Sequence, residues 1–236
     1  MALEAEDGWL NLTDRVEIPP GPQRVGSAAD NDLILSTGPA HLGVLTATAT
    51  EARLTVGGKV LDFIASGANP MLRSADLLLE LHTVSGQPGL RVRDLSLPRQ
   101  VRLTSYPYDP AWVITARWEG LAAAQAQVVE QRGAAPTELQ LTHRAHFHHA
   151  GHDVSLLVTH WKGASPMLVF RDATAGAETY GAARFLIAEP QGDTITLDFN
   201  RAYNPPCAFT DFAICPLPPP ENRLPFAIRA GERKPD

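Results

Sequence analysis

A group of polar side chains near the C-terminal end of the chain is the first candidate for chemistry. The segment "DFNRAYNPPC" (198–207) brings Asp198, Asn200, Tyr203 and Asn204 together, and two prolines and a cysteine follow directly. Carboxylate, amide and phenol groups are those that orient a small polar ligand by hydrogen bonds. The segment therefore predicts either the rim of a binding site or a polar lock that ends a sheet.

A hairpin leads into this segment and adds an arginine to it. "ARFLIA", "EPQGD" and "TITLDF" indicate two strands and a five-residue loop, 189–193. That loop would place Ala188 opposite Thr194 and Arg184 opposite Asp198. A guanidinium grips a carboxylate through two hydrogen bonds, so the pair would either pin the following loop or face a ligand. The candidate pocket consists of Tyr180, Arg184, Asp198, Asn200, Tyr203, Asn204 and Arg223.

Histidines form the second candidate, since six of the eight lie between His143 and His160. His146 and His148 share one face of a predicted strand, where two imidazoles can hold one metal ion. His160 is the later histidine that a cupin-like metal site would need, although the glycine spacing of cupins is missing. The competing interpretation is a polar strand face, and no metal or other cofactor is expected.

Cys207 and Cys215 are the third candidate. They fit buried unreactive thiols, a reversible disulfide or, with a base in reach, a nucleophile. Asp172, Asp198 and Glu221 are carboxylates that could act as acid and base. The chain contains no G-x-S-x-G elbow, phosphate-binding loop or dinucleotide fingerprint.

The elements that must position these groups are predicted to be strands. Short β-rich runs bounded by turn residues fill the first 95 positions or so, and Gly57-Gly58 indicates a hairpin. "TELQLTHRAHFHH" (137–149) alternates, with Leu139, Leu141, His143, Ala145 and Phe147 on one face. Residues 121–132 are ambiguous, because their Ala, Gln and Glu content also suits a helix.

A proline-rich strap is expected to close the second domain. Eight of the 20 prolines lie between Pro205 and Pro235, and proline cannot donate to a ladder. Interspersed apolar residues predict an ordered strap packed on the domain. The predicted fold is all-β: a β-sandwich-like subdomain (1–96), then a β-sandwich or barrel-like domain (97–236) closed by this strap.

Three segments resemble the signatures of a bacterial family known as domain of unknown function 1684. They are "TYGAARFL" (179–186), "LDFNRAYNPPCAF" (197–209) and "CPLPPPENRLPFAIRAGE" (215–232). The resemblance implies a mainly β protein, a strand in the second half of 121–132, and no assigned activity. It also implies that the candidate residues share one framework with Glu221 and Asn222.

The N-terminal half, in "VGSAADNDLILSTGPAHLGVLTA", is similar to the forkhead-associated phosphothreonine-binding domain. A sandwich is what this similarity implies. Ser27 stands where that module has an arginine, and "GPAH" replaces its Ser-Arg-x-x-His motif. Phosphopeptide binding is therefore not expected, because the groups that would hold a phosphate are missing.

Composition narrows the classes of function. A formal net charge of −6 without a basic run argues against a nucleic-acid or membrane partner. The N-terminus has no secretory pattern and no run approaches about 20 apolar residues, so a cytoplasmic location is expected. The main hypothesis is a small-molecule-binding protein, an enzyme included, with its pocket around Arg184 and Asp198. The alternatives are a structural or protein-interaction module and a cupin-like metal-dependent enzyme.

Overall fold

A computed structural model describes residues 3–66, 69–84 and 86–235. The regular elements of these residues are strands and four short 3-10 helices, so the all-β prediction is confirmed. Contacts divide the chain into two compact units, Met1–Val101 and Arg102–Asp236. In the described ranges, no helix has the length and apolar character needed to cross a bilayer.

The described residues of the first unit form ten strands in two five-stranded sheets. They are β1 (Leu12–Glu17), β2 (Gln23–Gly26), β3 (Leu33–Ile34), β4 (Gly43–Ala47), β5 (Ala52–Val56), β6 (Lys59–Asp62), β7 (Ile64–Ser66), β8 (Asn69–Ser74), β9 (Leu77–Leu81) and β10 (Gly89–Asp94). The sheet orders are β3-β2-β4-β5-β6 and β1-β10-β9-β8-β7. Leu45 and Leu54 of the first sheet share one buried core with Leu79 and Val92 of the second, which makes the unit a sandwich.

The Gly57-Gly58 hairpin is confirmed. Val56 pairs with Lys59 across the two glycines. Both glycines have positive φ, at 55° and 83°, as a two-residue turn between twisted strands requires.

The outer face of the β1-β10-β9-β8-β7 sheet carries buried charge. Arg15 is opposite Arg91, and Arg91 is opposite Glu80. Glu80 accepts hydrogen bonds from Arg91 at 3.2 Å and from Arg93 at 2.6 Å. His82 lies directly after β9, where its backbone still pairs with Gly89, and alternation puts its side chain on the same face as Glu80.

This face makes the stability of the first unit depend on pH. Burial, and then the positive charge of Arg91, lowers the pKa of His82 from 6.5 to about 4. Below pH 6.5 the unfolded chain protonates His82, whereas the folded unit does not do so until about pH 4. Stability therefore falls as the pH drops through this window, by roughly 2 kcal/mol from this histidine at pH 4.5.

Urea unfolding of the full chain at pH 7 and pH 4.5 measures this loss. We expect His82→Gln to reduce the difference between the two pH values. The exposed His41 of the same unit provides the matched control, since His41→Gln leaves the difference as in the wild type. An unchanged pH dependence in His82→Gln would show that other groups cause it.

The second unit contains the remaining ten strands. They are β11 (Val113–Val129), β12 (Gln131–Arg132), β13 (Thr137–His149), β14 (His152–Leu157), β15 (His160–Lys162), β16 (Ser165–Phe170), β17 (Arg184–Ile187), β18 (Glu189–Gln191), β19 (Thr194–Asp198) and β20 (Cys215–Pro216). The sheet orders are β14-β13-β11-β19-β18, β15-β16-β17 and β12-β20. Residues 121–129 are strand, so the helical interpretation was wrong, because pairing with β13 overrides local propensity. Leu141, Ala145 and Phe147, which share one face of β13, are buried, so this face points into the core.

The proline-rich strap packs onto the core of this unit. Leu224, Ile228 and Ala230 are buried with Leu186 and Leu197 of the sheets. Short 3-10 helices punctuate the unit at Pro110–Trp112, Phe199–Arg201, Pro206–Ala208 and Pro220–Asn222.

The predicted pairing of Arg184 with Asp198 is wrong. Gln191 pairs with Thr194 across the two-residue turn Gly192-Asp193, so the loop is shorter than expected. The chain also changes sheets at Ala188: Arg184 of β17 pairs with Phe170, whereas Asp198 of β19 pairs with Val113. Strands in different sheets share no register, and the Arg184–Asp198 inference therefore fails.

Candidate functional site

Arg184 is enclosed by the strap. Its side chain is 2% exposed and donates to Asp172 Oδ2 at 2.5 Å and to the carbonyls of Ala230 and Ile228 at 2.5 and 3.0 Å. Asp172 is held in turn by the backbone N–H of Thr174 at 2.8 Å. This arrangement ties the strap to the sheet and engages both terminal nitrogens of the guanidinium.

Asp198 and Asn200 form a second lock. Asp198 caps the 3-10 helix Phe199–Arg201 by accepting from the Asn200 N–H at 3.1 Å. The Asn200 amide exchanges two hydrogen bonds with the backbone of Asp109, at 2.9 and 3.0 Å. These two residues thus hold the segment that leads into β11.

Tyr203, Asn204 and Tyr180 also contact the backbone. Tyr203 exchanges backbone hydrogen bonds with Phe185, and the Asn204 amide donates to the carbonyl of Arg233 at 2.7 Å. The Tyr180 hydroxyl donates to the carbonyl of Cys207 at 2.6 Å. Burial raises the pKa of Tyr180, so the phenol remains protonated at neutral pH.

The histidine candidates are engaged separately. His146 Nε2 lies 2.9 Å from Glu119, and His148 Nδ1 lies 2.9 Å from Asp153. Burial lowers the pKa of His160, which lies on β15 in another sheet. Within the part of the chain that the structure describes, no group of three His, Cys, Asp or Glu residues could hold a metal ion.

Cys207 and Cys215 are buried free thiols. The backbone N–H of Cys207 donates to Cys215 Sγ at 3.2 Å. The sulfur of Cys215 thereby accepts a hydrogen bond at the start of the strap, and its thiol is only 1% exposed. Neither thiol is placed to meet a substrate from solvent.

A cleft of about 310 Å³ lies on the second unit and concentrates positive charge. It is lined by Arg132, Arg171, Ala182, Leu217, Pro218 and Arg223. Of the seven predicted binding residues, Arg223 is the one that lines it. Arg132 and Arg171 had not been predicted.

A backbone bridge brings Arg171 and Arg223 together. The two residues form a parallel bridge, in which the Arg171 N–H donates to Asn222 O at 3.0 Å and the Leu224 N–H to Arg171 O at 2.7 Å. Bridge partners in a ladder project their side chains to the same side. Among the described residues, no carboxylate lies within 4.0 Å of either guanidinium.

Asn222 sets this geometry. Its fully buried side chain accepts from the Leu157 N–H at 2.7 Å and donates to the carbonyls of Leu157 and Val169 at 2.9 and 2.8 Å. These three hydrogen bonds satisfy backbone groups of β14 and β16 that would otherwise have no ladder partner at this point. Arg223 is the next residue, so the amide anchors the cleft as well as the strap.

Arg132 enters from a separate two-stranded sheet. Arg132 pairs with Cys215, and the Leu217 N–H donates to Glu130 O at 2.8 Å, which brings the β12 strand beside Leu217 and Pro218. Its guanidinium contacts Asp211 at 3.0 Å, and both side chains are substantially exposed, at 45% and 87%. A hydrogen bond to Asp211 raises the pKa of Arg132.

The cleft thus offers planar, permanently charged donors beside an apolar wall of Leu217 and Pro218. Guanidinium groups bind phosphate and carboxylate groups through paired hydrogen bonds. Sequence reasoning missed Arg171 because its partner Arg223 is distant in the chain. The signal available was "FRD" (170–172), in which Asp172 is directed inward and Arg171 must therefore face outward.

Comparisons with known proteins agree with the sequence signature. A family model described as "Protein of unknown function (DUF1684)" matches residues 101–233. The solution NMR structure of an uncharacterized protein from Haloarcula marismortui is similar, with 30% identity and a TM-score of 0.45, and the match covers 56% of this chain and 75% of that chain. No curated protein matches the chain.

Proposed function

The chain belongs to the DUF1684 family, and we propose that its family-matched unit binds a small anionic molecule in the cleft of Arg132, Arg171 and Arg223. The ligand would present a phosphate or carboxylate group to Arg171 and Arg223. This assignment keeps the small-molecule function expected from the sequence and places it at a different set of residues.

The observation that supports the proposal is the Arg171–Arg223 bridge. Two like charges on neighbouring positions repel each other, and directly opposed like charges destabilise a sheet. A bound anion would offset that repulsion and accept hydrogen bonds from both guanidinium groups. Asn222, buried next to Arg223, holds the backbone from which Arg223 projects beside Arg171.

The shape of the cleft limits the ligand. A volume of about 310 Å³ lies at the lower end of the range for small-molecule pockets, roughly 300–1,000 Å³. Ala182, Leu217 and Pro218 offer apolar contact for the part of the ligand beyond the anionic group. The structure therefore favours a small metabolite with one anionic end over a polyanion.

The cellular location and the source of the anionic group follow from the cysteines and the net charge. We place the protein in the cytoplasm, where buried free thiols such as Cys207 and Cys215 persist in reduced form. The formal net charge of −6 disfavours nucleic acid or an anionic membrane as the source of the anionic group. A free metabolite remains as the ligand.

Titration calorimetry with inorganic phosphate and with phenyl phosphate tests the proposal. We expect both probes to bind the wild-type chain, with phenyl phosphate the tighter because it also contacts the apolar wall. Arg171→Met and Arg223→Met should each weaken binding by about tenfold to a hundredfold, the effect of losing a hydrogen bond to a charged group.

Arg201→Met is the matched control, because Arg201 is an exposed arginine of the same unit that does not line the cleft. It should bind both probes like the wild type. Equal binding by the wild type, the two cleft variants and the control would refute the proposed site.

A further inference from the structure

A second arginine cluster lies in the first unit, outside the family match. Arg15, Arg91 and Arg93 share the outer face of the β1-β10-β9-β8-β7 sheet, and we call them the guanidinium cluster. Arg15 is directly opposite Arg91 in the ladder, and Arg93 is two positions further along β10 on the same face. Arg91 is 6% exposed and Arg93 is fully buried.

Charge in this cluster is not balanced. Glu80 is the carboxylate that contacts it, at 3.2 Å from Arg91 and 2.6 Å from Arg93. In residues 3–66, 69–84 and 86–235, no other carboxylate lies within 4.0 Å of the three guanidinium groups. One negative charge therefore faces three positive charges, and burying unpaired charge is costly.

Hydrogen bonding in the cluster is also incomplete. Arg15 Nε, Arg91 Nε and Arg93 Nη2 are shielded from solvent and have no hydrogen-bond partner among the described residues. Buried donors in folded proteins are nearly always paired. Each of the three side chains thus has a donor that requires an acceptor.

The segment before β1 covers the cluster. The Gly8 carbonyl accepts from Arg93 Nε at 2.8 Å, and the Trp9 ring lies 5.0 Å from the Arg91 guanidinium carbon. An acceptor that reaches the donors of Arg91 or Arg93 would therefore lie close to Gly8 and Trp9, which favours a small one. Burial and the charge of Arg91 lower the pKa of His82, which remains neutral at pH 7 and adds no charge of either sign.

We propose that a small inorganic monoanion of the chloride class binds within the guanidinium cluster and acts as its missing counter-charge. A spherical monoanion can accept N–H donors from several directions, which suits donors carried by three side chains on one face of a sheet. It reduces the excess charge without the volume of a phosphate. The site is independent of the anion cleft in the second unit.

The ³⁵Cl NMR signal tests this site, because an ion that exchanges with a protein site gives a broader line. The full chain is titrated with chloride at pH 7, and gluconate replaces chloride to keep the ionic strength constant. We expect saturable broadening for the wild type and a reduction of at least tenfold in chloride affinity for Arg15→Gln. Arg15 is chosen because it is less buried than Arg93, whose replacement endangers the fold. Arg53 is an exposed arginine of the same unit that pairs with Asp62, and it supplies the control. The Arg53→Gln chain should broaden the ³⁵Cl signal as much as the wild type does.

Two further results separate this site from the cleft. Arg171→Met and Arg223→Met should retain the chloride signal, and chloride should raise the unfolding midpoint of the wild type but not of Arg15→Gln. The Arg15→Gln chain could broaden the ³⁵Cl signal as strongly as the wild type, or chloride and gluconate could stabilise the chain equally. In either case the guanidinium cluster would bind water and no chloride. Either outcome would overturn the proposal.

Discussion

Replacing Asp172 by asparagine should lower the free energy of unfolding of the second unit by about 3–5 kcal/mol, the range for breaking one side of a buried ion pair. Asp172 and Arg184 are 1% and 2% exposed at their side chains. Without the carboxylate, the buried Arg184 charge keeps only neutral acceptors, among them the carbonyls of Ile228, Ala230 and Glu232. Urea unfolding of the full chain, followed by a probe in the second unit, measures the loss.

A double variant distinguishes the charge from the packing. Asp172→Leu combined with Arg184→Met removes both charges, and such replacements are often neutral in stability. We expect the double variant to be more stable than Asp172→Asn alone. If Asp172→Asn unfolded at the wild-type urea concentration, the pair would not hold the strap.

Replacing Asn222 by alanine should cost about 3 kcal/mol and weaken phosphate binding at the cleft. The change leaves one N–H and two carbonyls of β14 and β16 without their partner, and each buried unpaired group costs about 1–3 kcal/mol. Arg223 also loses its anchor beside Arg171, so we expect at least a tenfold loss of phosphate affinity. Urea unfolding and phosphate titration measure the two effects.

Two neighbours serve as controls for Asn222→Ala. Glu221→Ala alters an exposed side chain and should change stability by less than about 0.5 kcal/mol. Arg223→Met should weaken phosphate binding by about tenfold to a hundredfold while its stability stays close to wild type. Wild-type phosphate affinity in Asn222→Ala would show that the asparagine does not position Arg223.

These predictions assign different roles to the family signature. Arg184, Asp198, Asn200 and Asn204 lock the backbone, and their partners are other parts of the same unit. Arg223 lies on the solvent side of the same signature and lines the cleft. The segment "PENR" (220–223) thus combines a buried anchor with an exposed charge, because successive residues point in different directions.

Most of the strands could be predicted from the sequence. Alternation in residues 139–147 identified the buried face of β13, and Gly57-Gly58 identified a hairpin, because both signals arise between residues close in the chain. The prolines after Pro205 predicted a strap for a similar reason, since a missing N–H excludes each from the centre of a sheet.

The partner of Arg184 could not be predicted in this way. The inference assumed that β17 and β19 form a hairpin, but the backbone N–H of Ala188 donates to Pro166 and the chain enters another sheet there. This one change of sheet gives every residue of β19 a different pairing partner from the one that the predicted hairpin would give. Nothing in "ARFLIAEPQGDTITLDF" marks it, because the competing strands β11 and β16 are distant in sequence.

Residue types and local periods in the sequence are sufficient to predict an all-β chain, the family of its C-terminal part and the alternating faces of β13. Which charged groups meet depends on the three-dimensional fold. Arg171 lies beside Arg223 because Asn222 joins β14 and β16, and Arg91 and Arg93 share Glu80 because β10 and β9 are neighbours in one sheet. Charged groups interact through space, and the distances between them follow from strand register and sheet order.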